Sequence, residues 1–141
     1  MNSSLYAKGN PIYVDTTTDL SAAIGKMVTF AAGVPAVSAS ATVPAVGIVL
    51  DARTRTTGAV TTYDNSIGIM ASLPAPVRVL LSANSAALAF GDQLMQAADG
   101  TVTKNVTGQN RVIVGVCTDK NGAQPGDLFE AVICDPSYAT F

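Results

Sequence analysis

The chain has 141 residues, enough for one domain, or two small halves sharing a core, without help from a metal or disulfides. Hydrophobic residues make up 48% and charged residues only 13%, against ~25% in an average protein, and the net charge is −2. No histidine is present, which removes the usual general base, metal ligand and physiological-pH switch together, and no basic run offers a nucleic-acid surface.

So little charge points to a surface covered by other subunits, or to a neutral one rich in Ser, Thr and Ala. No run approaches the ~20 apolar residues of a transmembrane helix. The opening "MNSSLYAKGNPIYVD" has no basic region ahead of an apolar core, so the expectation is synthesis into the cytoplasm without a leader. Cys117 and Cys134 are expected to be buried small hydrophobes rather than a disulfide.

In chain order, residues 1–20 are polar and Thr-rich, with one apolar patch at Ile12, Tyr13 and Val14. This predicts an extended N-terminal arm with a short strand, ahead of a β domain over 21–141. A strand is expected over 26–31, where Met27, Thr29 and Ala31 alternate with Val28 and Phe30. Residues 34–45 are rich in Pro, Ala and Ser and predict a loop or an irregular edge. "AVGIVLDA" is an apolar run, and "TRTTGAVTTYD" places a turn at Thr57-Gly58 before a β-branched strand.

Residues 66–73 and 77–81 predict further strands separated by Pro74-Ala75-Pro76. "SANSAALAFGD" predicts a loop with one helical turn at most. "DQLMQAA" and "TVTKN" flank Asp99-Gly100, a pair that closes tight hairpins. "RVIVGVCTD" and "LFEAVIC" complete the core across "KNGAQPGD". Short strands at 8–12-residue spacing predict an all-β fold, a small barrel or sandwich.

Two stretches share one order of features. Ile24-Gly25-Lys26-Met27-Val28 matches Phe90-Gly91-Asp92-Gln93-Leu94, an offset of 66 from Gly25 to Gly91. Gly33 matches Gly100 at 67, and Val46-Gly47-Ile48-Val49 matches Val114-Gly115-Val116-Cys117 at 68. A Gly turn, strand, Gly turn, loop and apolar-Gly-apolar strand recur over 21–60 and 87–128, with small insertions shifting the offset. The third Gly interrupts an apolar strand, which is tolerated at a barrel bend or where another backbone passes close.

The order "IGKMVTF…VPAVGIVLDARTRTTGA…VRVLLS", then "LAFGDQLMQAADGTVTK…RVIVGVCTDKNGAQPGDLFEAVI", resembles the small phage capsid decoration, or cement, proteins over most of residues 20–134. The resemblance implies a compact β-barrel or β-tulip built from two similar β units. It implies a structural protein of the virion that binds the outer capsid surface as a homotrimer and clamps the major capsid protein. Neither an enzyme, a cofactor, a small-molecule substrate, a nucleic acid nor a membrane is expected. Ile12, Tyr13 and Val14 would then pair with an exposed sheet edge of the shell or within their own domain. Arg53 and Arg55 alternate on one face and are expected either to stay solvated or to meet an acidic patch of a shell subunit, and Tyr138 and Phe141 either to anchor on a neighbour or to be disordered. Removing residues 1–14 is expected to weaken shell binding while leaving the barrel folded. The long loop "GVPAVSASATVPAVG" and the terminal "DPSYATF" depart from the family pattern.

Other chemistries find little support. The acids lie mostly beside Gly, Asn, Pro or Thr, where Asp serves turns, and no facing carboxylate pair is evident. Without histidine the familiar triad is excluded, leaving Lys26 and Lys104 as formal Ser–Lys partners best read as solvated strand-end lysines. "GDQLMQAADG" is also similar to the hairpin of lipoyl and biotinyl domains, but the required tip lysine is absent. Two cysteines do not fill a zinc shell, and no Asp-x-Asp calcium loop is present. The rival expectation is another structural protein, a head-fibre base, a tail component or an extracellular β-sandwich binding module.

Overall fold

The computed structural model describes residues 12–16, 18–70, 76–107 and 110–139; for 12–16, 135 and 137–139 it describes the backbone alone. The fold is all-β. The strands are β1 (Ile12–Thr16), β2 (Met27–Ala31), β3 (Val34–Val37), β4 (Gly47–Thr57), β5 (Val60–Ile69), β6 (Val77–Leu80), β7 (Gln93–Gln96), β8 (Val102–Lys104), β9 (Arg111–Cys117) and β10 (Leu128–Ala139). A 3-10 turn at Ser21–Ala23 precedes β2, and no α-helix occurs among the described residues.

The strands form two five-stranded sheets, ordered β1-β5-β4-β2-β3 and β6-β10-β9-β7-β8. Adding five to each label of the first order gives the second. The repeat seen in the glycine spacing is therefore a repeat of topology, and it runs further than 21–60 and 87–128. It takes in β1 and β6 at the start and β5 and β10 at the end.

The equivalence holds residue by residue. Val28 pairs with Gly47 as Leu94 pairs with Gly115. Gly47 pairs with Ile69 as Gly115 pairs with Ile133. Gly25 donates to the Val49 carbonyl (2.9 Å) and Val49 donates to Lys26 (3.0 Å). In the second unit Gly91 donates to Cys117 and Cys117 to Asp92, both at 2.8 Å. The mid-strand glycines are where neighbouring backbone crowds in. A Cβ on Gly47 would lie 2.9 Å from the Gly68 carbonyl oxygen, and one on Gly115 would overlap the Val132 carbonyl.

The units differ in closure. In the second sheet, Leu81 beyond β6 bridges in parallel to Val102 of β8, and Ser82 donates to the Val102 carbonyl at 2.8 Å. The two ends of the sheet thus meet, making a small barrel. Its interior holds Val79, Leu81, Leu94, Val102, Val112, Val114, Phe129 and Ile133, all buried. No such bridge joins β1 to β3 among the described residues. The first sheet has a smaller core of Leu20, Ala23, Val28, Val49 and Ile67 on one face. On its other face Met27, Ile48 and Met70 join the core of the second unit.

Several expectations need revision. Residues 34–37 form an edge strand where a loop or irregular edge was expected, because Ala32-Gly33 makes a two-residue reversal with positive φ at both positions (52° and 79°), the type I′ geometry that suits strand twist. The runs "AVGIVLDA" and "TRTT" form the single strand β4, and the β-branched run and "SIGI" form the single strand β5. Gly58 (φ 63°) leads their hairpin turn, with Thr57 paired to Val60. The stretch before Gly91 is a loop, as expected, and is tied down by the Leu88–Ala123 bridge. β10 runs on to Ala139 past an irregularity between Ile133 and Ser137, a place where Pro136 is tolerated.

Both cysteines are free. Cys117 is buried as expected, but Cys134 is exposed, because it lies one step past Ile133 on the outward side of β10.

Candidate contact surface

β1 pairs antiparallel with β5, from Ile12 opposite Ile67 to Thr16 opposite Tyr63. Of the two pairings open to the arm, the structure shows the one within its own domain. β1 is nonetheless an edge strand of its sheet. Buried Asn65 of β5 donates its side-chain amide to the Thr18 carbonyl at 3.1 Å, fixing the chain just beyond β1.

The β1–β5–β4 rows bring two of the sequence candidates together. Tyr13 is opposite Ser66, which is opposite Asp51; Asp15 is opposite Asp64, which is opposite Arg53. Period-two alternation then puts Asp51, Arg53 and Arg55 of β4 on one face, with Ser66, Asp64 and Thr62 of β5 beside them. Arg53 Nε lies 3.3 Å from Asp51 Oδ2, and an Arg55 guanidinium nitrogen lies 3.1 Å from Asp64 Oδ1. Asp51, Arg53, Asp64 and Ser66 line an open cleft of about 300 Å³.

The sequence reading gave Arg53 and Arg55 to an acidic patch on a partner. In the structure both already have carboxylates on their own hairpin, Asp51 and Asp64. With Arg53 81% exposed at its side chain, such pairs stabilise the fold little. What they provide is a patterned, water-accessible polar surface. Beyond it the hairpin is exposed from Arg53 to Thr61 and ends in a Thr-rich tip, with Val60 63% exposed.

Tyr138 is in the other sheet, paired with Val112, and so is not brought to this cluster by strand register. Phe141 lies outside the described residues.

Sequence reasoning missed two features. Gln96, in β7, is 2% exposed and holds the long loop of the first unit. Its carbonyl oxygen accepts from Ala45 N (2.9 Å), and its amide nitrogen donates to the carbonyls of Ser40 (2.6 Å) and Val43 (2.7 Å), with the Ser38 hydroxyl at 3.2 Å. The second is an apolar pair on the outside of the second sheet. Val116 and Val132 are directly opposite each other and 38% and 40% exposed. Alternation in "LFEAVIC" was the available signal, since Glu130 marks the outward side that Val132 shares, but in "RVIVGVC" apolar residues fill both sides.

The acidic groups serve structure. Asp92 accepts from Ala89 N (2.8 Å) and pairs with Lys104 Nζ (3.0 Å); the amide bond first, then the lysine, hold its carboxyl below the usual range. Burial pushes Asp99 up, but hydrogen bonds from the Thr101 hydroxyl and amide outweigh it and the carboxyl ends below its usual value. Burial raises the Cys117 thiol. Among the described residues no group of three or more His, Cys, Asp or Glu is placed to share a metal ion, and no helix is long and apolar enough to cross a membrane.

Compared with protein-family models, with curated proteins and with solved structures, the chain shows no match.

Proposed function

We propose that this chain is a structural protein that decorates the outside of a phage head, binding the major capsid protein as a homotrimer and stabilising subunit seams rather than catalysing a reaction. The observation that carries the reading is the repeat. The glycines of the motifs on which the resemblance rests, Gly91 of the "GD" strand entry, Gly100 of the "DG" hairpin and Gly115 of the "VGV" strand, are matched in the first unit by Gly25, Gly33 and Gly47, with equivalent register and hydrogen bonds at the strand-entry and mid-strand positions. One glycine framework therefore serves the architecture twice.

The surface suits the role. An edge strand stands next to an internally paired charge cluster, and a Thr-rich hairpin projects from them. Contact with such a surface desolvates little net charge, and each copy needs only a standard interface of ~800 Å² per partner to add holding strength at many sites.

The test is a density gradient of native lysate with mass spectrometry of each fraction. Co-migration with DNA-filled particles in many copies is expected. Confinement to the light soluble fractions would overturn the decoration reading and leave the extracellular or other binding-module reading to pursue.

A further inference from the structure

The two units are equivalent in topology but not in surroundings, and the difference has a pattern. Within the chain, the outer face of the first unit is seated on the second. A Cβ on Gly25 would lie 2.5 Å from Leu128 Cδ1 and 3.2 Å from Leu80 N, and Leu80 donates to the Gly25 carbonyl at 2.9 Å. The hairpin tip at Gly100 abuts Val37, Met27 and Lys26, and Met27 donates to the Gly100 carbonyl at 2.7 Å. Met27 and Ile48 are wholly buried there.

Each half of this seam has an equivalent that nothing among the described residues covers. Gly91 stands where Gly25 does, and a Cβ there would meet nothing within 4 Å. Gln93 and Val116 stand where Met27 and Ile48 do, and both are exposed, with Val132 beside Val116. On the other half, Gly33 stands where Gly100 does, and a Cβ there also meets nothing. One unit's outer face is free in the second unit, and one unit's receiving tip is free in the first.

We infer that a second copy of this chain completes the pattern: the Gln93–Val116–Val132 face of one copy seats on the Ala32–Gly33 hairpin tip of the next, head to tail, by the contact that already joins the two units of one chain. Such a heterologous contact is made of two different patches and closes into a ring when its rotation allows. It places Val116 and Val132 against a neighbour and makes every unit of the ring a quasi-equivalent of the others. The inference deepens the homotrimer part of the proposed function and does not depend on the capsid as partner.

The experiment uses the full chain in solution, so its failure is separable from that of the density gradient. Sedimentation velocity over a wide concentration range is expected to show a closed oligomer. The Val116→Glu/Val132→Glu variant is expected to dissociate at least tenfold more readily with an unchanged far-ultraviolet spectrum, while Val60→Glu, on the projecting hairpin, leaves assembly intact. In a Cys134→Ser background, mixing Val34→Cys chains with Gln93→Cys chains and oxidising is expected to give a mixed disulfide dimer. A chain that stays monomeric throughout overturns the inference. So does an oligomer indifferent to both glutamates, or Gln93→Cys chains that cross-link to themselves, which is the mark of a two-fold contact.

Discussion

Gln96 shows how a single polar side chain sets the shape of a loop. Its amide is buried beneath residues 38–46 and matches an amide donor on one side and two carbonyls on the other. Gln96→Leu keeps the volume but leaves those groups without partners, and a loss of about 3 kcal/mol in urea unfolding is expected. Gln96→Glu is expected to lose a comparable amount at neutral pH, because a carboxylate has no proton to give the Ser40 and Val43 carbonyls. Ala32 acts in the opposite sense. It holds φ at 52° in an exposed turn where Asn or Gly belongs. Ala32→Asn is expected to raise stability by about 0.5–1 kcal/mol, read as a higher urea midpoint at unchanged slope. Asp92 and Asp99 contribute to the acid limb. Their carboxyls are held below their ordinary value in the fold, so their contribution is present above the unfolded value of about 3.9 and is lost as pH falls through the lower folded values. Urea midpoints measured down the pH scale are expected to fall below about pH 4, and to fall less in Asp92→Asn.

Among the elements, the hairpin of β4 and β5 carries the clearest division of labour. Its base, from Gly47 to Val49 and from Asn65 to Gly68, is buried, while its outer part from Arg53 to Thr61 is exposed. Arg53→Ala/Arg55→Ala is therefore expected to change stability by under about 0.5 kcal/mol while lowering occupancy on purified heads in a co-sedimentation assay. Equal occupancy would remove these arginines from the contact. The arm requires a changed expectation, because deleting residues 1–14 cuts into β1 and its pairing with β5. Removal of residues 1–11 is the variant expected to leave both sheets intact. This hairpin was only half legible in the sequence. The turn at Gly58 was plain, but Thr- and Arg-bearing segments carry no continuous apolar signal, so two long strands resembled three shorter ones. Likewise Gln96 has the appearance of an outward-facing polar residue in "DQLMQAA". Only the loop it supports, 51 residues earlier at Ala45, explains its burial. The glycines were legible because each is required by local geometry, and local requirements survive without knowledge of the rest of the fold.

For the molecule as a whole, the repeat gave the architecture but not the closure. Composition and spacing indicate two β units, yet only the Leu81–Val102 bridge shows that one of them curls shut. Loss of symmetry between equivalent residues, Met27 buried and Gln93 exposed, was written in the sequence as an apolar residue opposite a polar one, though its meaning depends on which face meets the other unit. The seam between the units also has a consequence in time. A ribosome delivers the first unit before the second, and domains otherwise fold as they emerge. Met27, Ile48 and Met70 lack their cover until β6 to β8 have followed, and the loop at 38–46 waits for Gln96 to reach it. The first half of the nascent chain therefore passes through a stage with an open sticky face. Truncated chains ending before Gln93 are expected to be captured by chaperones or to aggregate, whereas the complete chain is not, and pulse-chase solubility of the two would separate these fates.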